Sequence, residues 1–392
     1  MRAQRMAAGA SAQAAMLRAV HDRPGVTRAG IARDLEMPSG FAAETAGQLV
    51  RAQLVRELPA PPTGARGRPT TALVPHPDGP LVAAAGIAHE SWTVTVAQLG
   101  GTMITTASGQ HQRDQQQVLD AVTAELAAAN RRFGDRIRAA AVSVPGIVVG
   151  STLVQASNLG WHDVDLSALW PRYDRVPLAA GNDATFAAVA ESRRGSGRGA
   201  GMMIYLLMDA GVGGALVAAG RAVTGATGAA GEFGHMPFGD PAIRCECGAS
   251  GCWNTSLGGR ALARALGEAA PADEVSYVRN IMRAARQGSP QEIAVIDVAA
   301  AAFGRGAAGL VNAFDPHVVI AGGLGRELLA VAGERAAAAY RDGLMTFRRP
   351  VPPLAAAQLG QEAPLRGAAE QAFAEVLTDY GLQAWAARSH GR

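Results

Sequence analysis

The chain runs to 392 residues, 48% hydrophobic and 18% charged, which rules out a disordered polymer and leaves room for two or three domains with their own cores. Its three cysteines are too few, and odd in number, for a disulfide-framed secreted scaffold. All 36 basic residues are arginine and the formal net charge is +3, but residues 1–80 hold ten arginines against six acids while residues 81–392 hold 26 against 27. That N-terminal excess fits a polyanionic partner, although a merely solvated basic face has the same composition.

Residues 1–16 lack the apolar run of a secretory signal. Over 12–22, Ala15, Met16, Leu17 and Val20 mark one face of a short helix that Pro24-Gly25 ends. Thr27 is placed to cap a second helix over 28–35, and Ser39, after the Met37-Pro38 turn, to cap a third running to about Arg51. Residues 54–58 and 70–74 then read as strands around a loop, 59–69, in which Arg66 and Arg68 flank Gly67. This is the order of a winged helix-turn-helix, whose last helix enters the major groove of DNA. A small three-helix packing module is the other reading. The DNA-facing candidates are Arg28, Ser39, Thr45, Gln48 and Arg51, with Arg66 and Arg68 reaching for phosphates or a minor groove. Glu44 is an awkward neighbour unless it accepts from a cytosine amine. The turn-rich stretch 75–80 closes this domain, taken as 1–78.

The rest, 79–392, alternates strands and helices as an α/β body does, and the pattern suggests two lobes with a cleft. Strands are expected at 81–87, 92–99, 137–144 and 176–180, with a helix at 116–130; Gly181-Asn182-Asp183 follows the last strand, where α/β sheets tend to place ligand groups. Of all stretches, only 201–220 suggests a membrane span, and Asp209 with the glycines at 211, 213, 214 and 220 argues for a buried hairpin instead. Helices near 261–267, 275–286 and 293–314 follow. A strand at 317–321 enters Gly322-Gly323, and helices at 325–343 and 367–380 close the pattern.

Cys245, Cys247 and Cys252 fall within eight consecutive positions, shortly after His235. One imidazole and three thiolates make a full tetrahedral set for zinc, and Gly248 and Gly251 let the backbone fold back around an ion. Three small buried hydrophobes beside an unrelated histidine is the plainer alternative. A closed four-ligand site holds structure and does no chemistry; here it would pin a loop so that Glu232 and His235 face a cleft, leaving the second ring nitrogen of His235 for a neighbour or ligand.

Together the motifs resemble the ROK family (repressors, open reading frames, kinases) of the actin-like sugar-kinase fold. They are Gly67-Arg68-Pro69, Val144-Pro145-Gly146, SNLGWHDVDL at 157–166, Asn182-Asp183-Ala184, GEFGH at 231–235, CECGASGC at 245–252 and DPHVVIAGG at 315–323. The resemblance implies one lobe of about 79–184 plus a helix at about 367–390, and a second of about 185–366. It also implies a sugar held by Asn182, Asp183, Glu232 and His235, with Asp183 in the place of the kinases' general base. Read on their own, Asn182 and Asp183 could equally cap a helix. The winged domain is what separates the family's regulators, of the xylose- or N-acetylglucosamine-repressor kind, from its kinases.

Two departures bear on activity. The kinases' first phosphate loop, Asp-x-Gly-Gly-Thr, is here Gly86-Ile87-Ala88-His89-Glu90-Ser91, and the second reads Asp209-Ala210-Gly211-Val212-Gly213-Gly214, each with an acid that repels phosphate. Asn254 stands where the family has a sugar-contacting glutamate, a loss worth about 1–3 kcal/mol of affinity or a redirected specificity. The expectation is a cytoplasmic, non-enzymatic, DNA-binding regulator of the repressor kind. It would carry structural zinc, form a homodimer or homotetramer and answer to a sugar-like effector. An ATP-dependent sugar kinase and a regulator that has lost sugar sensing are the alternatives.

Overall fold

The computed structural model describes residues 11–60, 71–156, 159–170, 172, 175–209, 211–347 and 350–388. Its N-terminal arm consists of α1 (Ala12–Asp22), β1 (Val26–Thr27), α2 (Arg28–Asp34), α3 (Ser39–Arg51), β2 (Val55–Pro59) and β3 (Thr71–Pro75), with the strands antiparallel in the order β1-β3-β2. Met16, Leu17, Val20, Ile31, Leu49 and Leu73 are buried. The helical spacing therefore names most of the α1 face, although Ala14 and not Ala15 is the buried alanine. The Ser11 and Thr27 hydroxyls cap α1 and α2 by accepting from the Ala14 and Gly30 amides. Ser39, expected as the cap of α3, is instead its first residue. Pro38 takes the cap position without a side-chain hydrogen bond, its ring already restricting φ for helix entry.

The 75–80 linker is pinned. The Gly79 N–H returns to the His76 carbonyl, and the Arg136 guanidinium donates to the carbonyls of Pro77 and Gly79. The arm accordingly groups with the first sheet of the body. The chain divides into unit 1, Met1–Asp183 with Ala368–Arg392, and unit 2, Ala184–Gly367.

In unit 1, β4 (Leu81–Ile87), β5 (Ser91–Gln98), β6 (Met103–Gln110), β7 (Ile137–Val144) and β11 (Leu178–Asn182) form one sheet in the order β11-β7-β4-β5-β6. Helix α4 (Gln115–Phe133) covers one face, laying Val118, Val122 and Leu126, each four residues on, against Ala83, Ala85 and Val142. Between β7 and β11 come β8 (Ile147–Val149), β9 (Thr152–Ala156) and β10 (Trp161–Asp165), a separate small antiparallel sheet. The expected strand 176–180 falls two residues later because Pro177 has no N–H to give a ladder.

Helix α5 (Asp183–Arg194) leads into unit 2, whose sheet runs β14-β13-β12-β15-β16: β12 (Met202–Met208), β13 (Val212–Ala218), β14 (Arg221–Ala222), β15 (Val318–Gly323) and β16 (Leu354–Ala356). The stretch 201–220 is thus a hairpin, as its glycines suggested. Helices α6 (Gly259–Leu266), α7 (Glu274–Arg286), α8 (Pro290–Phe314) and α9 (Leu324–Asp342) share a core with Ile204, Leu206, Val319 and Ala321. Ala187 and Ala188 of α5 pack with Met203 and Tyr205. It is α8, passed over at the sequence level, that is long and apolar enough to cross a membrane among the described residues, and 61% of its most apolar window lies inside the core. Gly304 and Gly306 let α8 press onto the α9 backbone and the Trp253 ring, where a Cβ would overlap.

Glu191 on α5 has 0% exposure, and its carboxylate accepts from the backbone N–H groups of Ser196, Gln358 and Leu359 at 2.8, 2.8 and 2.7 Å. The chain ends in α10 (Ala363–Val376) and α11 (Asp379–Arg388).

Candidate metal centre and its neighbours

The Gly231-to-His235 segment owes its path to its two glycines. Gly231, at φ +101°, lies on the Gly214 carbonyl, and Gly234 lies on the Val212 carbonyl and the Asn254 side chain. No Cβ fits at either place. This close approach to β13 presents Glu232 and His235 from one short turn, with His235 Nε2 3.8 Å from a Glu232 oxygen.

A tight cysteine loop follows. The Cys245 N–H donates to Ala249, the Gly248 N–H to Cys245 and the Gly251 N–H to Ile243, with Gly248 and Gly251 at φ +92° and +74°. The Trp253 N–H then donates to Met236, while its buried ring donates to the Ala302 carbonyl of α8, so the loop is rooted in the core of unit 2. One ligand atom each from His235, Cys245, Cys247 and Cys252 lies within 4.8 Å of the others. Cys245 Sγ is 3.8 Å from His235 Nδ1, and the Cys247 and Cys252 sulfurs are 3.6 Å apart. A tetrahedron with about 2.3 Å zinc–sulfur bonds has edges of about 3.8 Å, which the His235–Cys245 and Cys247–Cys252 separations match, so the donor set suits zinc. Nδ1 faces the sulfurs and Nε2 faces Glu232, which would divide the imidazole between a bound ion and its neighbour.

Burial pushes the Cys252 thiol up to about 12, with the Cys247 and Cys245 sulfurs adding to the shift. The Ala249 N–H holds Cys247 below its usual value. A divalent cation would supply the charge that lets these thiols ionise together.

Asn254, the second residue after Cys252, accepts from the Val212 N–H through Oδ1 at 2.6 Å. Its amide oxygen therefore ties the metal loop to the β12–β13 turn. In that turn the Asp209 N–H donates to Gly211, and the Asp209 carboxylate lies so close to Gly323 that a Cβ there would sit 2.7 Å from Oδ1. Ala210 lies outside the described residues.

In unit 1, the Asn182 side chain donates to the Gly146 carbonyl at 2.9 Å and so braces the Val144-Pro145-Gly146 turn; Asp183 opens α5 directly after β11. The β4–β5 turn is a short, closed hairpin. Its Ala88 N–H donates to Ser91, the Ala88 carbonyl is 3.2 Å from His111 Nε2, and Glu90 is 3.5 Å from Arg113. The Ala88 amide is used inside the hairpin, and the Glu90 carboxylate stands at its tip, where it would repel an anion.

The nominated DNA-facing residues fare unevenly. Thr45 is 2% exposed and donates its hydroxyl to the Phe41 carbonyl, and it lies on the buried stripe of α3 with Ala42, Ala46 and Leu49, so it faces the core of the arm. Ser39, Glu44 and Arg51 are exposed, Arg28 lies 3.4 Å from Glu57, and Gln48 is paired with Gln13. Arg66 and Arg68, with the whole loop 61–70, lie outside the described residues, as do Ser157 and Asn158 of the SNLGW motif. Sequence reasoning missed Phe41, 49% exposed on the first turn of α3. A lone aromatic at a non-core helical position was the available signal.

Residues 88–374 match the model of the ROK family. A glucokinase from Streptomyces coelicolor is 31% identical over 275 residues, 65% of this chain and 86% of that protein. A xylose repressor from Caldicellulosiruptor bescii is 31% identical over 196 residues, covering 46% of this chain and 49% of the repressor. A solved ROK-family transcriptional regulator, a homologue of the E. coli MLC protein, superposes with a TM-score of 0.76 at 20% identity over 96% of this chain and 98% of that one. The chain belongs to the ROK family.

Proposed function

We propose that the protein is a DNA-binding transcriptional regulator, of the repressor kind, whose ROK body senses a sugar or sugar-like effector. The observation that carries this reading is the arm itself, three helices and a small antiparallel sheet ahead of a ROK body, which has the order of a winged helix-turn-helix with α3 as the reading helix. The excess of ten arginines over six acids in residues 1–80 supports a nucleic-acid partner. The closed β4–β5 hairpin and the Asp209 carboxylate support a body that no longer handles nucleotide phosphates. Asn182, Asp183, Glu232, His235 and Asn254 are the effector-contacting candidates in this reading. Structural zinc sits on His235, Cys245, Cys247 and Cys252. The protein works in the cytoplasm as a homodimer or homotetramer, and effector binding resets the spacing of two reading arms.

Titration of the protein's own promoter region at rising salt is the direct test. Binding that falls steeply with salt is expected, and no binding at low salt, with or without sugars, refutes the reading. Phe41 adds a sharper arm: an exposed ring at the start of a reading helix suits a thymine methyl group. Replacing thymines by deoxyuridine across the bound site should weaken the wild type by about 5- to 100-fold at one position, and leave Phe41→Ala indifferent.

An ATP-dependent sugar kinase is the second reading, favoured by Asp183 at the head of α5 and by the glucokinase likeness. A coupled assay of ADP release across common hexoses decides it. No turnover is expected; hexose-dependent turnover lost in Asp183→Asn would overturn the regulator assignment.

A further inference from the structure

The arm is held down by the two C-terminal helices. The Ser11 N–H donates to both Asp379 oxygens at 3.1 and 3.0 Å, an Arg18 nitrogen to the Leu377 carbonyl at 2.9 Å, and Trp385 Nε1 to the Ala52 carbonyl at 2.8 Å. Among these contacts sits a polar pair with no part in the functional reading above. His21 on α1 is 0% exposed, Glu370 on α10 is 2% exposed, and Nε2 lies 3.0 Å from Oε2. The Gly100 N–H, from the β5–β6 turn, donates to Nδ1 at 3.1 Å, so Nε2 carries the proton and donates to the Glu370 carboxylate. The Phe373 ring, one turn further along α10, packs 4.6 Å from the imidazole.

Burying a histidine and a glutamate is costly unless each finds its partner, so this contact tolerates little sliding of α10 along α1. That stringency is what a mechanical coupling needs. Helix α10 begins in unit 2 and continues into unit 1, the chain passing between them at Gly367 and Ala368; its other passage is at Asp183 and Ala184, the start of α5. Gly367 rests on the backbone of Phe186 so closely that a Cβ would overlap the Phe186 carbonyl. Asp183 precedes Phe186 by one helical turn, and Glu370 follows Gly367 by one turn.

We propose that His21 and Glu370 are positioning residues that seat the arm on α10, and that α10 passes a displacement of α5 at Phe186 on to α1. The consequence for DNA rests on the regulator reading; the coupling itself does not. Hydrogen exchange of the full-length chain, followed by mass spectrometry, tests it. Glu370→Ala should speed exchange in peptides spanning α1 by about tenfold or more while α4 keeps its wild-type rate. Glu370→Gln, which keeps an acceptor for Nε2, should leave α1 protected. Gly367→Ala, remote from α1, should nevertheless change α1 exchange. Unchanged α1 protection in Glu370→Ala, or a Gly367→Ala effect confined to α5 and α10, overturns the proposal. Should Gly367→Ala fail to fold, the His21→Ala and Glu370→Ala cycle decides: non-additive effects on α1 support the coupling and additive ones refute it. On promoter DNA, Glu370→Ala should weaken binding by about 3- to 10-fold. A wild type that never binds DNA refutes the regulator reading and leaves the exchange results to judge the coupling.

Discussion

Cys247→Ser is expected to remove one bound zinc per chain and with it a large part of the stability of unit 2. Cys247 is exposed, so in a metal-free loop the substitution would change almost nothing. Any sizeable loss therefore reports the ion. With free zinc a thousandfold above its dissociation constant, the lost binding amounts to about 4 kcal/mol. Native mass spectrometry should give one zinc for the wild type and none for the variant. Thermal unfolding should show chelator-treated wild type falling to the level of Cys247→Ser. A wild type purified without metal, and equally stable with chelator, would reduce the four donors to a packing cluster. The expected damage spreads beyond the loop because Trp253 roots it under α8 and Asn254 ties it to Val212.

Glu191→Ala should cost about 3–5 kcal/mol, read as a lower urea midpoint at unchanged slope. The truncation strands three backbone N–H groups, those of Ser196, Gln358 and Leu359, that converge on one buried carboxylate. Glu191→Gln keeps one acceptor oxygen but turns an amide donor towards N–H groups, so an intermediate loss is expected. A near-neutral Glu191→Ala would mean that water reaches the three amides readily and that the carboxylate holds nothing together.

The parts of this molecule that were legible in its sequence are those governed by local periodicity. The α1 face, the strands at 81–87 and 137–144, and the hairpin punctuated by Asp209 and Gly211 all follow from spacing within a dozen residues. The clustering of His235 with Cys245, Cys247 and Cys252 was legible because three thiols and an imidazole at that spacing suit one common ion. Illegible were features fixed by distant partners. Thr45 looked polar and therefore outward, yet its hydroxyl is satisfied within its own helix. Strand β6, rich in Thr and Ser, alternates half-buried and exposed at a sheet edge and carries no apolar run to announce it. Asn254 read as a ligand contact because its place in the motif was known, while its hydrogen bond to Val212, 42 residues back, was not. His21 and Glu370, separated by 349 positions, gave no local sign of each other.

That last separation has a bearing on biosynthesis. Part of the surface that seats the arm belongs to residues 370–385, so a ribosome must deliver most of the chain before those contacts can form. Unit 2, an uninterrupted segment, can condense first as an insert. A nascent chain cut short before α10 would leave His21 without the Glu370 carboxylate and Arg18 without the Leu377 carbonyl, and so present an arm held at fewer points. Only finished molecules would present it in working order.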